Sequence, residues 1–234
     1  MKKDDLKNVD WNEILLGEML LLGVLSRSIQ LYPEREWLQQ LLDEDFFSES
    51  PLGNEHADVQ AGLSLLRAWG KENQKGISDE NLSDLEADYT RLFIGVGEVL
   101  APPWESVYFT EARLVFQQET LQVRIWYRRF GLESDKLHKE PDDHIGLEMS
   151  FVAYLTRLAL QAREDNDEKQ FEKLIGAQRQ FLSEHLLTWG PHWCGLVIEH
   201  AHTDFYKGLA LLTRGTLLTL AEQFDIKVSK EVVR

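Results

Sequence analysis

The segment HADVQAGLSLLRAWGKE, residues 56–72, decides the class of fold that we predict for this chain. Its apolar residues recur every three or four positions and therefore line one face of an α-helix: Val59, Leu63, Leu66 and Trp69. The same spacing continues along most of the 234 residues, whereas alternating runs of valine, isoleucine and threonine between turn residues are absent. We therefore predict an all-α fold, arranged as one compact helical domain.

Proline, glycine and capping residues divide the chain into predicted helices. Asp10 and Glu13 have the spacing of a capping box for a helix over residues 11–30, which Pro33 ends. The polar segment 131–141 is the best internal boundary, so we predict a hinge there between an N-terminal helix group (1–130) and a C-terminal group (142–234). The further predicted helices cover residues 34–43, 56–72, 78–93, 111–130 with a break near 117–120, 142–163, 168–187, 191–202 and 204–224.

The chain has 40 acidic and 25 basic residues and a formal net charge of −15. Proteins that bind nucleic acids present a basic patch or stripe, so this composition argues against that class. An acidic surface speeds the association of a positively charged peptide, although solubility is the simpler explanation of the surplus acids. A cationic partner is therefore favoured over a phosphate.

The features that report on compartment point to the cytoplasm. The single cysteine, Cys194, cannot form an intramolecular disulfide, which fits a reducing compartment. A basic start followed by the apolar segment 14–25 superficially resembles a signal peptide, but Asp4, Asp5 and Glu18 interrupt that pattern. No uninterrupted apolar run approaches the roughly 20 residues that a membrane span needs. We expect a cytoplasmic protein without stable membrane insertion.

The string APPWESVY, residues 101–108, combines rigid backbone with aromatic side chains. Its two prolines exclude helix and hold Trp104 and Tyr108 beside the apolar pair Leu92 and Phe93. Aromatic residues on a preformed loop suit the capture of an apolar peptide, because little ordering is needed on binding. A loop whose tryptophan fills the core explains the string equally well.

The string EPDDHI, residues 140–145, combines a proline with acids and a histidine. The proline fits the first helical position, so Asp142 and Asp143 are expected in the first turn, near the positive end of the helix dipole. His144 lies beside these acids, which predicts a raised pKa, and Glu148 follows one turn later on the same face. The residues alone favour a capped helix over a polar rim above an apolar groove.

A histidine-rich stretch around Cys194 raises a metal hypothesis. Zinc sites need four ligands in tightly spaced pairs, which one cysteine with scattered histidines does not supply. A di-iron bundle needs Glu-x-x-His twice, and residues 199–202 are the single instance. Motifs of hydrolases, phosphate loops and dinucleotide binding are absent as well. We predict no catalytic residue, no metal ligand and no cofactor, with a metalloprotein or enzyme that uses Cys194 and the histidines as the alternative.

Several strings in a fixed order resemble the TorD/DmsD/NarJ family of cytoplasmic redox-enzyme maturation chaperones. They are YTRLF (89–93), GVG (95–97), APPWESVY (101–108) and EPDDHI (140–145), followed by HLLTW (185–189). The resemblance spans roughly residues 11–224, and the ordered set is far more specific than any single string. It implies an all-helical fold and a role without turnover chemistry.

The resemblance also implies a partner. Family members bind the twin-arginine signal peptide of a molybdopterin oxidoreductase, of the dimethyl sulfoxide or trimethylamine N-oxide reductase type, until the molybdenum cofactor is inserted. The peptide contacts that the family implies map onto Leu92, Phe93, Pro103, Trp104, Asp143 and His144.

A basic and apolar peptide fits the chemistry of these strings. The guanidinium groups would be taken by the acids, Asp142, Asp143 and Glu148. The apolar stretch would be taken by the aromatic residues, Phe93, Trp104 and Tyr108. The client, a homodimer formed by helix exchange, and guanine nucleotide binding stay open, and the absence of a phosphate loop argues against the nucleotide.

Overall fold

The computed structural model of the chain describes residues 11–95, 99–110, 112–133 and 140–228. Within these ranges the fold is built from α-helices and short helical turns, without a β-strand, which confirms the predicted all-α class. No helix of the described ranges is long and apolar enough to cross a membrane. The helices are α1 (Trp11–Gln30), α2 (Arg35–Asp43), α3 (Ala57–Glu72), α4 (Asp79–Tyr89), α5 (Gln118–Arg129), α6 (Ile145–Glu164), α7 (Glu168–Glu184), α8 (Leu186–His200) and α9 (Asp204–Gln223), with a π-helical turn at Thr90–Ile94 and a 3₁₀ turn at Glu105–Tyr108.

Local sequence signals set several helix ends as predicted. Ser78 is the N-cap of α4, and its hydroxyl accepts a hydrogen bond from the backbone N–H of Asn81 at 3.1 Å. The π-helical turn ends at Gly95, whose φ of 70° is a left-handed value that glycine adopts without strain. Asp10 of the predicted capping box and residues 96–97 of the GVG string lie outside the described residues.

The helix predicted over residues 111–130 begins later than expected. Arg113 and Phe116 have φ values of 48° and 60°, which a right-handed helix cannot include. α5 therefore begins at Gln118, where the sequence predicted only a break.

The break predicted at the Trp-Gly-Pro sequence of residues 189–191 is wrong. The chain breaks at His185, with φ −127° and ψ −91°, and α8 continues through Pro191. Pro191 is the sixth residue of α8 and has no N–H to donate to the carbonyl four residues earlier, so it removes one intrahelical hydrogen bond. The full burial of Trp189 and Trp193 on either side of it outweighs that loss.

The described chain forms two compact units, each made of separate segments. The described residues of the first unit lie within 11–30, 104–190 and 220–228, and those of the second unit lie within 31–103 and 191–219. The predicted hinge at residues 131–141 stays a prediction, since residues 134–139 lie outside the described residues.

The core of the first unit lies where α6 packs between α1 and α7. One carboxyl group, that of Glu18 on α1, is fully buried there. The hydroxyl of Thr156 donates to its Oε1 at 3.1 Å, and Nε2 of Gln178 donates to the same atom. Burial raises the pKa of Glu18 from 4.5 to about 8 against the opposing effect of these bonds. Glu18 is therefore a neutral acid in the folded protein at pH 7.

In the second unit, α3 and α9 approach each other at glycines. A Cβ atom on Gly62 would lie 2.7 Å from the carbonyl oxygen of Gly208 and 2.7 Å from the backbone nitrogen of Leu212. Real Cβ atoms essentially never come this close to backbone, so the two helices pack at a separation that only glycine permits.

Candidate functional site

Asp143 joins the two sequence strings within the first unit. Its backbone carbonyl accepts the N–H of Glu105 at 2.9 Å, and its Oδ2 accepts the N–H of Ser106 at 2.8 Å. The hydroxyl of Thr120 on α5 donates to Oδ1 at 2.8 Å. Because a carboxylate accepts such bonds strongly, a single buried aspartate fixes the 3₁₀ turn against the start of α6.

Asp142 is fixed by α5 in the same way. The Nε–H of Arg124 donates to its Oδ2 at 2.6 Å, and the hydroxyl of Tyr127 donates to its carbonyl oxygen at 3.1 Å. The side chain of Asp142 is only 1% exposed, so the ion pair with Arg124 lies inside the protein. The charge of Asp142 is already neutralised by a residue of the chain itself.

The expected start of α6 at Asp142 is wrong by three residues. Asp142 and Asp143 precede the helix, which begins at Ile145 and has His144 as its N-cap. The Nδ1 atom of His144 accepts the backbone N–H of Gly146 at 3.0 Å. The buried bonds of the two aspartates to other elements outweigh the weaker attraction of a helix dipole.

The raised pKa expected for His144 is also wrong. Burial of the imidazole lowers the pKa of His144 from 6.5 to about 4, so the ring is neutral at pH 7. A neutral ring agrees with the cap, because Nδ1 must be unprotonated to accept the N–H of Gly146. The remaining ring proton is therefore on Nε2.

Trp104 and His144 form a partly exposed pair, which we call the Trp104–His144 pair. Their backbones form an isolated antiparallel bridge, and their ring centroids lie 6.1 Å apart at an angle of 82°. These two residues alone among the nine predicted peptide contacts keep accessible surface. The other seven are buried: Leu92, Phe93, Pro103, Tyr108, Asp142, Asp143 and Glu148.

Glu148 and Tyr108 belong to the buried layer of the first unit. The indole N–H of Trp189 donates to Oε2 of Glu148 at 3.3 Å, and the ring of Trp189 lies 5.2 Å from that of Tyr108. Burial raises the pKa of Glu148 well above its ordinary value, and the carboxylates of Glu105 and Asp143 raise it further. Burial therefore favours the neutral form of Glu148, and its side chain presents no accessible charge to a peptide.

Glu105 pairs with His185, which the sequence offered within the histidine-rich stretch and the HLLTW string. Nδ1 of His185 lies 2.9 Å from Oε2 of Glu105, and both side chains are buried. Burial raises the pKa of Glu105, and the hydrogen bond from His185 opposes that rise. His185 therefore anchors the 3₁₀ turn to the break between α7 and α8.

Leu92, Phe93 and Pro103 belong to the second unit. The carbonyl of Leu92 accepts the N–H of Ala101 at 2.9 Å, and the indole N–H of Trp193 donates to the carbonyl of Ala101 at 3.1 Å. Phe93 stacks on Trp193 with ring centroids 5.6 Å apart. These residues hold the beginning of the APPWESVY string within their own unit.

Sequence reasoning missed Thr120 and Arg124, the α5 residues that engage the two aspartates. Neither stands in a motif, and each is an ordinary polar residue of a helical pattern, so no local signal identifies it. Glu105 could have been found, because a carboxylate in a turn rich in apolar and aromatic residues needs a partner if the turn is buried.

The stretch around Cys194 gives no geometric support to a metal site. Cys194 is buried in the second unit, and burial raises the pKa of its thiol far above the ordinary value. His185 is bonded to Glu105 in the first unit. In the part of the chain that the structure describes, no three His, Cys, Asp or Glu residues are grouped to hold a metal ion.

Comparison with known proteins places the chain in a family. The family described as "Nitrate reductase delta subunit" matches residues 54–195, more than half of the chain. The Tat proofreading chaperone DmsD of Salmonella typhi is 31% identical over 192 residues, which cover 82% of this chain and 81% of the relative.

Two further relatives are also named as chaperones. The probable Tat proofreading chaperone DmsD of Haemophilus influenzae is 32% identical over 177 residues, 76% of this chain and 75% of its own. The chaperone protein TorD of Aliivibrio salmonicida is 29% identical over 139 residues, 59% of this chain and 63% of its own. The class is thus that of an all-helical chaperone, which is not an enzyme. More narrowly, the chain belongs to the TorD/DmsD/NarJ family of redox-enzyme maturation chaperones.

Proposed function

We propose that the chain is a cytoplasmic chaperone that binds the twin-arginine signal peptide of a molybdopterin oxidoreductase. It holds this peptide until the cofactor is inserted and folding is complete, before export by the Tat system. The partner is the catalytic subunit that carries the peptide, of the dimethyl sulfoxide or trimethylamine N-oxide reductase type. The names of the DmsD relatives, Tat proofreading chaperones, support this proposal through family membership.

The observation that carries the proposal is the Trp104–His144 pair, which stays accessible while every bonded neighbour is buried. The face of an indole attracts a guanidinium group by a cation–π interaction and also packs against apolar side chains. A twin-arginine leader offers both kinds of group. Trp104 is therefore the proposed anchor for the peptide.

His144 contributes a hydrogen-bond donor without a positive charge. Its Nδ1 is occupied by the cap of α6, so Nε2 carries the ring proton, and in the proposal this N–H donates to a backbone carbonyl of the peptide. A neutral ring does not repel the two arginines, whereas an imidazolium would. The net charge of −15 adds a long-range attraction for the basic leader.

Asp142, Asp143 and Glu148 position this pair in the proposal and do not contact the guanidinium groups. Asp142 and Asp143 are bonded inside the protein, and Glu148 is buried with a raised pKa. Direct ion pairing would need each of them to leave its bonds and its buried place.

A homodimer formed by helix exchange across residues 131–141 stays a prediction, which the mass of the purified protein in solution tests.

The decisive experiment measures binding of a synthetic twin-arginine leader to the full-length protein and two pairs of variants. His144→Asn keeps a side-chain acceptor for the N–H of Gly146, since asparagine is a good N-cap, and removes the imidazole. We expect it to lose most affinity at unchanged melting temperature, whereas His144→Ala loses affinity and stability together. Trp104→Ser should abolish binding of the leader, whereas Trp104→Phe should keep most of it.

Wild-type affinity in both His144→Asn and Trp104→Ser would overturn the assignment of the site. The exposed Leu20 on α1 provides a control, because Leu20→Ser also removes an accessible apolar side chain, from a helix that carries no predicted contact. Purification from a native host with identification of the bound protein by mass spectrometry tests the client class. A molybdopterin oxidoreductase subunit is the expected partner.

A further inference from the structure

Exposed apolar residues cluster on and before α5, the helix whose Thr120 and Arg124 bond to the EPDDHI string from its buried side. Nine large hydrophobic residues of the described chain are exposed, and four of them fall between residues 114 and 125. Leu121 and Ile125 are separated by one turn of α5 and are 55% and 52% exposed. Leu114 and Phe116 precede the helix and are 54% and 44% exposed.

The segment before α5 holds its apolar side chains out at a conformational cost. Phe116 has a φ of 60°, a left-handed value that is unfavourable for a bulky residue, and Arg113 has a φ of 48°. A preformed loop of this kind loses little entropy when a partner covers it. The strain therefore supports a role in binding for Leu114 and Phe116.

This region is basic in an acidic chain. Residues 112–129 contain four arginines against one glutamate, while the whole chain carries −15. Arg124 is used inside the protein by Asp142, but Arg113, Arg128 and Arg129 are exposed. Arg128 makes only an exposed ion pair with Glu133 at 3.4 Å, a type of contact that exchanges partners at little cost.

A cavity of about 430 Å³ adjoins the exposed stripe of α5. It is lined by Ile125, Trp126 and Arg129 from α5 and by Gln180 and Glu184 from α7. The guanidinium of Arg129 lies 4.9 Å from the ring centroid of Trp126, so the basic group forms part of the wall. The cavity has room for an apolar side chain beside Arg129.

We propose that the α5 face, comprising Leu114, Phe116, Leu121, Ile125, Arg128 and Arg129, docks an acidic amphipathic helix of a partner protein. Apolar side chains of that helix cover the exposed stripe, and its carboxylates pair with the arginines. The remainder of this acidic chain repels such a ligand, which directs it to the α5 face. The site uses residues other than the Trp104–His144 pair and does not depend on leader binding.

Two other occupants fit the face less well. A second copy that used the same face would bring arginines against arginines, since a two-fold interface pairs a surface with itself. An anionic bilayer extends beyond the face and would bring other acidic surface within a Debye length of about 8–10 Å. A single peptide helix, by contrast, covers only the α5 face.

The test uses a fluorescein-labelled synthetic helix of roughly 18 residues, about five turns, with leucines at helical spacing and glutamates elsewhere. Fluorescence anisotropy measures its binding to the full-length protein, beside an analogue with lysine in place of glutamate. The acidic peptide should bind with an affinity that falls as salt rises, and the lysine analogue should not bind. Hydrogen exchange should slow only within residues 114–129.

Matched double variants locate the site. Leu121→Ser with Ile125→Ser should weaken binding about tenfold or more, because burial of two aliphatic side chains is lost. Leu16→Ser with Leu20→Ser removes an equally spaced and exposed pair from α1 and should leave the affinity unchanged. Arg128→Glu should weaken binding and reduce its dependence on salt.

Three results would overturn the proposal. The first is equal affinity in the Leu121→Ser/Ile125→Ser variant. The second is no binding of the acidic peptide up to about 1 mM, where a specific site should register. The third is binding of the protein to phosphatidylglycerol vesicles in place of the peptide. A twin-arginine leader peptide should not displace the acidic helix. Displacement would refute a separate site, whereas failure of the leader to bind would count against the proposed function alone.

Discussion

Replacement of the buried Glu18 by glutamine is expected to stabilise the protein at neutral and alkaline pH. In the first unit, Thr156 and Gln178 donate to one oxygen of Glu18, while its other oxygen has no hydrogen-bond partner among the described residues. The side-chain oxygen of Gln178 is also buried without such a partner in this part of the chain. The amide of a glutamine at position 18 could donate to that oxygen and carries no titrating proton.

The magnitude follows from the pKa of Glu18, which burial raises from 4.5 to about 8. Between these values the folded protein keeps a proton that the unfolded chain releases, so stability falls as pH rises. The loss is absent below 4.5, reaches about 3 kcal/mol at pH 7, and levels near 5 kcal/mol above pH 8, at ~1.36 kcal/mol per pH unit. Glu18→Gln removes this dependence.

The assay is urea unfolding followed by circular dichroism, at several pH values from 4.5 to 8.5. The free energy of unfolding of Glu18→Gln should exceed that of the wild type by an amount that grows with pH. Glu13→Gln is the matched control, because it makes the same change at an exposed position of the same helix. Parallel profiles for wild type and Glu18→Gln would refute the conclusion that a protonated acid lies in this core.

Three further outcomes are expected. Asp143→Asn leaves one carbonyl oxygen where two oxygens accept buried bonds, so calorimetry should show a loss of about 2 kcal/mol, or ~4–8 °C in Tm; an unchanged Tm would contradict the joining role of Asp143. The lowered pKa of His144 means that its contribution to stability is present above pH 6.5 and lost as pH falls towards 4, so acid should destabilise the wild type more than His144→Asn. Gly62→Ala should cost at least ~2 kcal/mol in urea unfolding because backbone lies 2.7 Å away, whereas Gly176→Ala, with nothing within 4 Å, should gain ~0.5–1 kcal/mol. Similar values for the two alanine variants would show that helix spacing in the second unit does not depend on glycine.

The helix class and many helix ends could be predicted because the signals for them are local. Ser78 caps α4 by a bond three residues along the chain, and Gly95 supplies a left-handed conformation at the helix end. Where the structure departs from the prediction, contacts with residues that are distant in sequence determine where a helix begins or ends. Pro141 fits a helix start by local rules, but Asp143 is held by a residue 37 positions away, so α6 begins later.

The candidate site was predicted in its parts but not in its electrostatics. The two strings contain Trp104 and His144, and a backbone bridge between these residues brings the strings together. The neighbours of His144 in sequence suggest a raised pKa, yet burial of the imidazole lowers it. The adjacent Asp142 is paired with Arg124 on another helix. Such partners have no signature in a single sequence.

The backbone bridge between Trp104 and His144 has a consequence for protein engineering. Each string obtains its conformation from the other, through the N–H groups of Glu105 and Ser106 that Asp143 accepts. Neither string would therefore keep its shape if it were grafted alone into another helical scaffold. To change client choice by exchanging segments between relatives, both strings would have to be moved together. The α5 residues that bond to the aspartates would have to move with them.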